Sequence, residues 1–235
     1  MTLPSGAAEG AYLRSMAAMA GAEVISMHLI GLDNPGWLSD LAADTGPGSG
    51  GLVFHPYLSP AGERAPFRDA NARGPLVGLS FEHSRSHLAR SMLEAMSYVI
   101  RDCLDFSSTP VTELRLCGGG ANSAFWCQLL ADVTGVPTAR SVDAEIGAKG
   151  AFLTGLVATG LVPNVTEAVD AYVHTRDVFQ PDPRTAKTYD DLYADFLATR
   201  DSARAAWPRL VAARSRLEVA PESDSVIDAE PFRGD

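Results

Sequence analysis

Six residues, Gly118-Gly119-Gly120-Ala121-Asn122-Ser123, do most to constrain what this chain can fold into. A strand-like run, Glu113-Leu114-Arg115-Leu116-Cys117, enters them, and a helix-like run leaves them near Ala124. Strand, glycine turn and helix in that order are the wiring of an α/β domain. Glycine has no Cβ, so the backbone can take positive φ and come close to a ligand. The helix start behind it offers unpaired N–H groups and a positive dipole end, which suits phosphate or nucleotide. Taken alone, such a turn serves structure as well as ligands, so its neighbours have to decide.

The surrounding pattern predicts alternating helices and short strands. A helix is expected over 7–20, with Leu13, Met16 and Ala20 on its stripe, and a shorter one over 34–41. Residues 46–51 read as a flexible glycine loop, 52–58 as a strand broken by Pro56, and 59–75 as an ordered loop. The clearest helix covers 84–106, where Leu88, Met92, Met96, Val99 and Cys103 recur at spacings of three and four. Ser84 or Ser86 can cap its start. After the strand over 113–117 come a helix over 124–134, closed by Gly135 and Pro137, and a strand over 138–142. A helix over 145–159 is rich in small residues (Gly147, Ala148, Gly150, Ala151, Gly155). Each mid-helix glycine costs about 1 kcal/mol relative to alanine, a cost accepted where a helix or a ligand must approach closely. Further helices are expected over 163–173 and 187–210. Beyond about residue 216 the chain turns acidic and loses periodicity. The expected division is therefore one domain over 1–215 and a disordered tail over 216–235.

Composition removes several classes. With 46% hydrophobic and 20% charged residues the chain is globular in type. Its net charge of −10 repels nucleic acid and anionic membrane, so neither is an expected partner. The three cysteines, Cys103, Cys117 and Cys127, form no CxxC pair and no disulfide framework, which points to a reducing compartment. There is no apolar run of membrane-spanning length and no signal-peptide core, so a cytoplasmic location is expected.

Five ordered blocks point further. They are Pro56-Tyr57-Leu58-Ser59 with Gly62-Glu63-Arg64-Ala65-Pro66; Ala72-Arg73-Gly74 with Val77-Gly78-Leu79; and His83 followed by His87-Leu88-Ala89-Arg90, Leu93-Glu94-Ala95 and Arg101-Asp102. The fourth runs from Gly118 to Pro137 and includes Trp126, Gln128, Asp132 and Gly135; the fifth is Glu145-Ile146-Gly147-Ala148-Lys149-Gly150-Ala151. In order and spacing they resemble the C-terminal domain of the FGGY carbohydrate kinases, the group of xylulose, ribulose, glycerol and erythritol kinases.

The resemblance implies an α/β domain of the ribonuclease H-like (actin-like ATPase) type, a mixed sheet flanked by helices. It implies ATP and Mg²⁺ as cofactors and transfer of the γ-phosphate to a sugar or polyol hydroxyl. Gly118, Gly119, Gly120, Ala121, Asn122 and Ser123 would then lie against the adenosine, with Gly6 near the phosphates. The family's N-terminal domain and its general-base aspartate have no counterpart in this chain, so no catalytic residue and no metal ligand is assigned. The chain is accordingly expected to hold the nucleotide but to be inactive alone. It would act on sugar only with a complementing N-terminal half, and the surfaces such a half would cover favour a homodimer. The Pro56–Pro66 block is two residues longer than the commoner family form, which suggests a pentulose- or polyol-type member.

Two other readings remain open. One is a Rossmann-type cofactor domain, reading Gly118-x-Gly120-x-x-Ser123 with Asp143 or Glu145 as the ribose acid; it lacks the third glycine. The other is a non-catalytic regulatory or interaction domain. Individual residues also carry two meanings. Asp69, Asp102 and Asp132 are candidate carboxylates or structural charges. His83 and His87 are candidate metal ligands or helix-start residues. Glu63 and Arg64 touch a ligand or brace their loop, and Trp126 is an adenine platform or core.

Overall fold

The computed structural model describes residues 2–4, 12–14, 36–143 and 145–218. A short antiparallel pair, β1 (Thr2–Pro4) and β2 (Tyr12–Arg14), stands first. Helix α1 (Gly36–Ala43) follows, then an antiparallel pair of strands, β3 (Val53–Phe54) and β4 (Leu76–Val77). The long helix α2 (Arg85–Asp105) leads into a three-stranded sheet of β5 (Leu114–Leu116), β6 (Thr138–Ser141) and β7 (Thr175–Phe179). Strands β5 and β6 run parallel, joined by helix α3 (Ala124–Thr134), and β7 returns antiparallel to β6. The sheet is therefore mixed, and α3 packs against β6 and β7. Helices α4 (Ile146–Ala158) and α5 (Val165–Tyr172) form the β6–β7 crossover, and α6 (Ala186–Arg204) and α7 (Trp207–Glu218) close the described chain.

Helix α2 is the centre of the core. Every residue from Ala89 to Val99 is buried, on all faces, because α1, α3, α6 and β3 pack around it. Burying a large apolar side chain such as Met92, Leu93 or Val99 stabilises by about 1.5–3 kcal/mol. The polar residues in that stretch are paired. Glu94 takes the side chain of Arg90 at 3.0 Å, the Gly48 N–H at 2.9 Å and the Ser49 hydroxyl at 2.9 Å. Arg90 in turn donates to Tyr189 Oη and to the Thr45 carbonyl. Burial pushes the Glu94 carboxyl above its ordinary range, and the Gly48 N–H and Arg90 pull against that shift. At another part of the same core, Phe67 stacks on Trp207 with Tyr57 edge-on to both, and Trp207 anchors α7.

Several sequence expectations are corrected. The helix expected over 7–20 contains strand β2 at 12–14, where Leu13 pairs with Leu3; a cross-strand partner overrides alanine-rich propensity. The rest of that stretch, Gly6 included, lies outside the described residues. The glycine run over 46–51 is an ordered 3₁₀ turn at Ser49–Gly51 held by Glu94, rather than a flexible loop. The single helix expected over 187–210 is two, because Pro208 has no N–H and its ring would collide with the Arg204 carbonyl. Helix α7 continues to Glu218, inside the segment expected to be a disordered tail; residues 219–235 lie outside the described ones.

Candidate functional site

The glycine turn leaves the end of β5 at the edge of the sheet. Gly118 has φ 78° and ψ −170°, a backbone state that only glycine holds without strain. Residues Gly119–Asn122 then form one 3₁₀ turn, closed by Ala121 N–H to Gly118 O at 3.1 Å. Ser123 ends the turn and caps α3, accepting the Trp126 N–H at 3.0 Å. Its hydroxyl also meets that of Ser39 on α1 at 2.6 Å. All six predicted turn residues thus share one loop. Gly118, Gly119 and Asn122 are exposed, whereas Ala121 is buried.

The inside of the turn is closely supported. The Trp126 ring fills the space under Gly120, so close that a Cβ there would lie 2.1 Å from Cζ3. Trp126 is thus a support beneath the turn, packed against the core, and not an open platform. Arg140, on β6, donates to the carbonyls of Ala121 at 3.1 Å and Asn122 at 3.4 Å. Its Nε meets Asp177 of β7 at 2.5 Å. The outside is open: a Cβ at Gly119 would meet nothing within 4 Å. A ligand can therefore lie against Gly118, Gly119 and Asn122 without displacing protein.

The other candidates serve structure. Asp69 accepts the Asn71 N–H at 2.9 Å within its own loop. Asp102 is buried and paired with Arg200 of α6. Asp132 accepts from Gln128 Nε2 and Asp182 N–H, each at 2.8 Å. His83 and His87 take the N–H groups of Ser80 and Ser84 at 3.0 and 3.1 Å, the latter as half of a capping box at the α2 start. Glu63 is buried and accepts the Arg64 N–H at 2.8 Å. Asp143 is paired with Lys149 at 3.1 Å, and Glu145 is the exposed N-cap position of α4. Among the described residues no group of three His, Cys, Asp or Glu could hold a metal, and no helix is long and apolar enough to cross a membrane.

Sequence reasoning missed Ser39, Arg140 and Asp177. A charge on β6, flanked by Ala139 and Ser141, was a visible oddity. Its partner was not, because β7 carries little apolar patterning.

The glycines of α4 make no close approach within the described residues. A Cβ at Gly147, Gly150 or Gly155 would meet nothing within 4 Å, and Ile146 and Phe152 are exposed.

The family model for the C-terminal domain of the FGGY family of carbohydrate kinases matches residues 7–159. The xylulose kinase of Staphylococcus epidermidis is 32% identical over 162 residues, 68% of this chain and 32% of that protein. The gluconokinase of Bacillus subtilis is 33% identical over 189 residues, 76% of this chain and 35% of that protein. The solved xylulose kinase of Lactobacillus acidophilus superposes with a TM-score of 0.73 at 28% identity, covering 82% of this chain and 40% of that one. The chain thus spans about a third of the length of the curated relatives it matches. It belongs to the FGGY family of carbohydrate kinases, through that family's C-terminal domain.

Proposed function

We propose that this chain is the nucleotide-binding half of an ATP-dependent carbohydrate kinase, with the ribonuclease H-like (actin-like) fold of such enzymes. The observation that carries the reading is the glycine turn: open at Gly118, Gly119 and Asn122, supported from within, and set at the start of a capped helix. Backbone N–H groups and a helix N-terminus suit the nucleotide, and an absent Cβ lets it approach. A Mg²⁺ ion carried on phosphate oxygens needs no dedicated protein cage. Phosphoryl transfer requires positioning and charge stabilisation more than covalent chemistry, so a domain that only grips the nucleotide is a useful half of such an enzyme.

The acceptor would be a pentulose or a polyol, bound with a complementing N-terminal half that brings the general base. The exposed face of α4 is the surface such a half would cover, and a second copy of this chain is its competitor for that face. Calorimetric titration tests the reading. ADP with Mg²⁺ is expected to bind and NAD is not; NAD binding tighter than ADP would favour the Rossmann alternative. Gly119→Val fits the fold, because its Cβ meets open space, and is expected to weaken ADP. Unchanged affinity in that variant removes the turn from the site. The pure chain is expected to show no sugar-dependent ATP turnover, and measurable turnover would place a base within it.

A further inference from the structure

We propose that Arg140 and Asp177 form a brace that positions the nucleotide turn, so that strand β7 sets nucleotide affinity without touching the ligand. The proposal rests on the nucleotide reading above and extends it to residues that no turn motif contains. Arg140 is buried, and its Nη1 reaches two successive carbonyls of the turn, Ala121 and Asn122. Drawing those oxygens inward fixes the peptide planes. Across a trans peptide the Asn122 N–H then points away from Arg140, on the side opposite the Ala121 oxygen.

A guanidinium with one tether could swing away from the turn. Arg140 is fixed by β7 in two ways. Arg140 and Asp177 are direct partners in the antiparallel ladder, and Nε meets Oδ2 at 2.5 Å. The Phe179 ring lies 5.3 Å from the same guanidinium. The ladder register shifts between Arg140 and Ser141, and such irregularities re-aim a side chain. A planar guanidinium serves several acceptors at once, which an ammonium cannot do in fixed geometry. Asp177 lies beyond residue 159, where the family match ends, so the support of the turn comes from a later part of the chain.

Arg140 and Asp177 are therefore positioning residues, and the test reads both position and ligand. Amide hydrogen exchange at Ala121 and Ser123, whose N–H groups close the turn, reports the brace with no ligand present. Calorimetry with ADP and Mg²⁺ reports its effect on binding. Arg140→Met and Asp177→Ala are each expected to speed exchange at those two amides, while α2 amides stay protected, and to raise the ADP Kd about tenfold, the scale of one lost charge-assisted hydrogen bond. Asp177→Asn still accepts from Nε and is expected to recover most of both effects. Asp177 is part-exposed, so its variants decide the matter if Arg140→Met does not fold. Unchanged turn exchange overturns the brace. Faster exchange with unchanged ADP affinity leaves a structural contact and overturns the positioning role. If the wild-type chain binds no ADP, the nucleotide reading fails, and the exchange measurement separately shows whether the brace exists.

Discussion

Gly120 and Trp126 leave no room for a side chain between them: a Cβ on Gly120 would stand 2.1 Å from Trp126 Cζ3 and 2.8 Å from Cε3. The indole is wedged against the core and has little freedom to retreat. Gly120→Ala is expected to cost about 1–3 kcal/mol, the range for forced overpacking. Gly119→Ala meets open space and is expected to stay within about 0.5 kcal/mol of wild type. Urea denaturation of the two variants checks the contrast, and equal midpoints would mean the ring moves freely.

Glu94 is the common acceptor for α2 and the turn at 48–49. Glu94→Ala leaves Arg90 without its counter-charge and the Gly48 N–H without a partner. A loss of about 3–5 kcal/mol is expected, as for breaking other buried pairs. The same denaturation measurement applies, and a loss below about 1 kcal/mol would show the network to be dispensable.

His55 sets an acid limit on stability. Burial first, and the nearby Arg200 charge second, lower its pKa from 6.5 to about 4. Nε2 faces Thr199 Oγ1 at 3.0 Å, and Thr199 gives its own proton to the Asp195 carbonyl. His55 therefore donates from Nε2, and a second proton would enter at Nδ1, a buried atom with no hydrogen-bond partner. The unfolded chain binds that proton more readily than the folded one. The stabilising contribution is thus full above pH 6.5 and is lost as pH falls from 6.5 towards 4. Within that window the slope is about 1.4 kcal/mol per pH unit for one group. His55→Gln is expected to flatten this limb between pH 6.5 and 5, where most carboxylates are still ionised, in urea midpoints measured at half-unit steps. An unchanged slope would assign the limb to other groups.

Exposed apolar residues on α4 predict self-association. Ile146 is 38% and Phe152 48% exposed, beside glycines that face open space. Phe152 meets the Tyr172 ring edge-on, and apolar surface left exposed in this way favours association. Light scattering is expected to give a mass that rises with concentration, and Phe152→Glu is expected to lower it. A constant monomer mass in the wild-type chain would show that this face needs no cover.

Much of the helical framework was legible. Helix α3 spans the predicted residues, 124–134, because Ser123 caps it and Gly135 ends it. Helices α2, α4 and α5 begin and end within one or two residues of expectation. In each case the decisive interactions join residues a few positions apart, so the local sequence contains both partners. The glycine turn was legible for the same reason, as a feature of one continuous run.

Strand β7, the break before Trp207 and the depth of α2 were not. Thr175-Arg176-Asp177-Val178-Phe179 shows no clean alternation and becomes a strand only because β6 offers an edge to pair with. The periodicity of α2 marked an apolar face, yet Arg90, Ser91, Glu94 and Ser97 are buried with it, since neighbours approach from every side.

By itself, then, the sequence determined helices α2 to α5, the family and the turn at 118–123. Those features depend on residue types at short spacing. Only the tertiary structure decided what holds the turn in place. Trp126 filling the space of a missing Cβ was within local reach, but Arg140 reaching back to Ala121 and Asp177 fixing Arg140 depend on strand register. Register joins residues 19 and 37 positions apart, and it is set by packing of the whole sheet rather than by any local run.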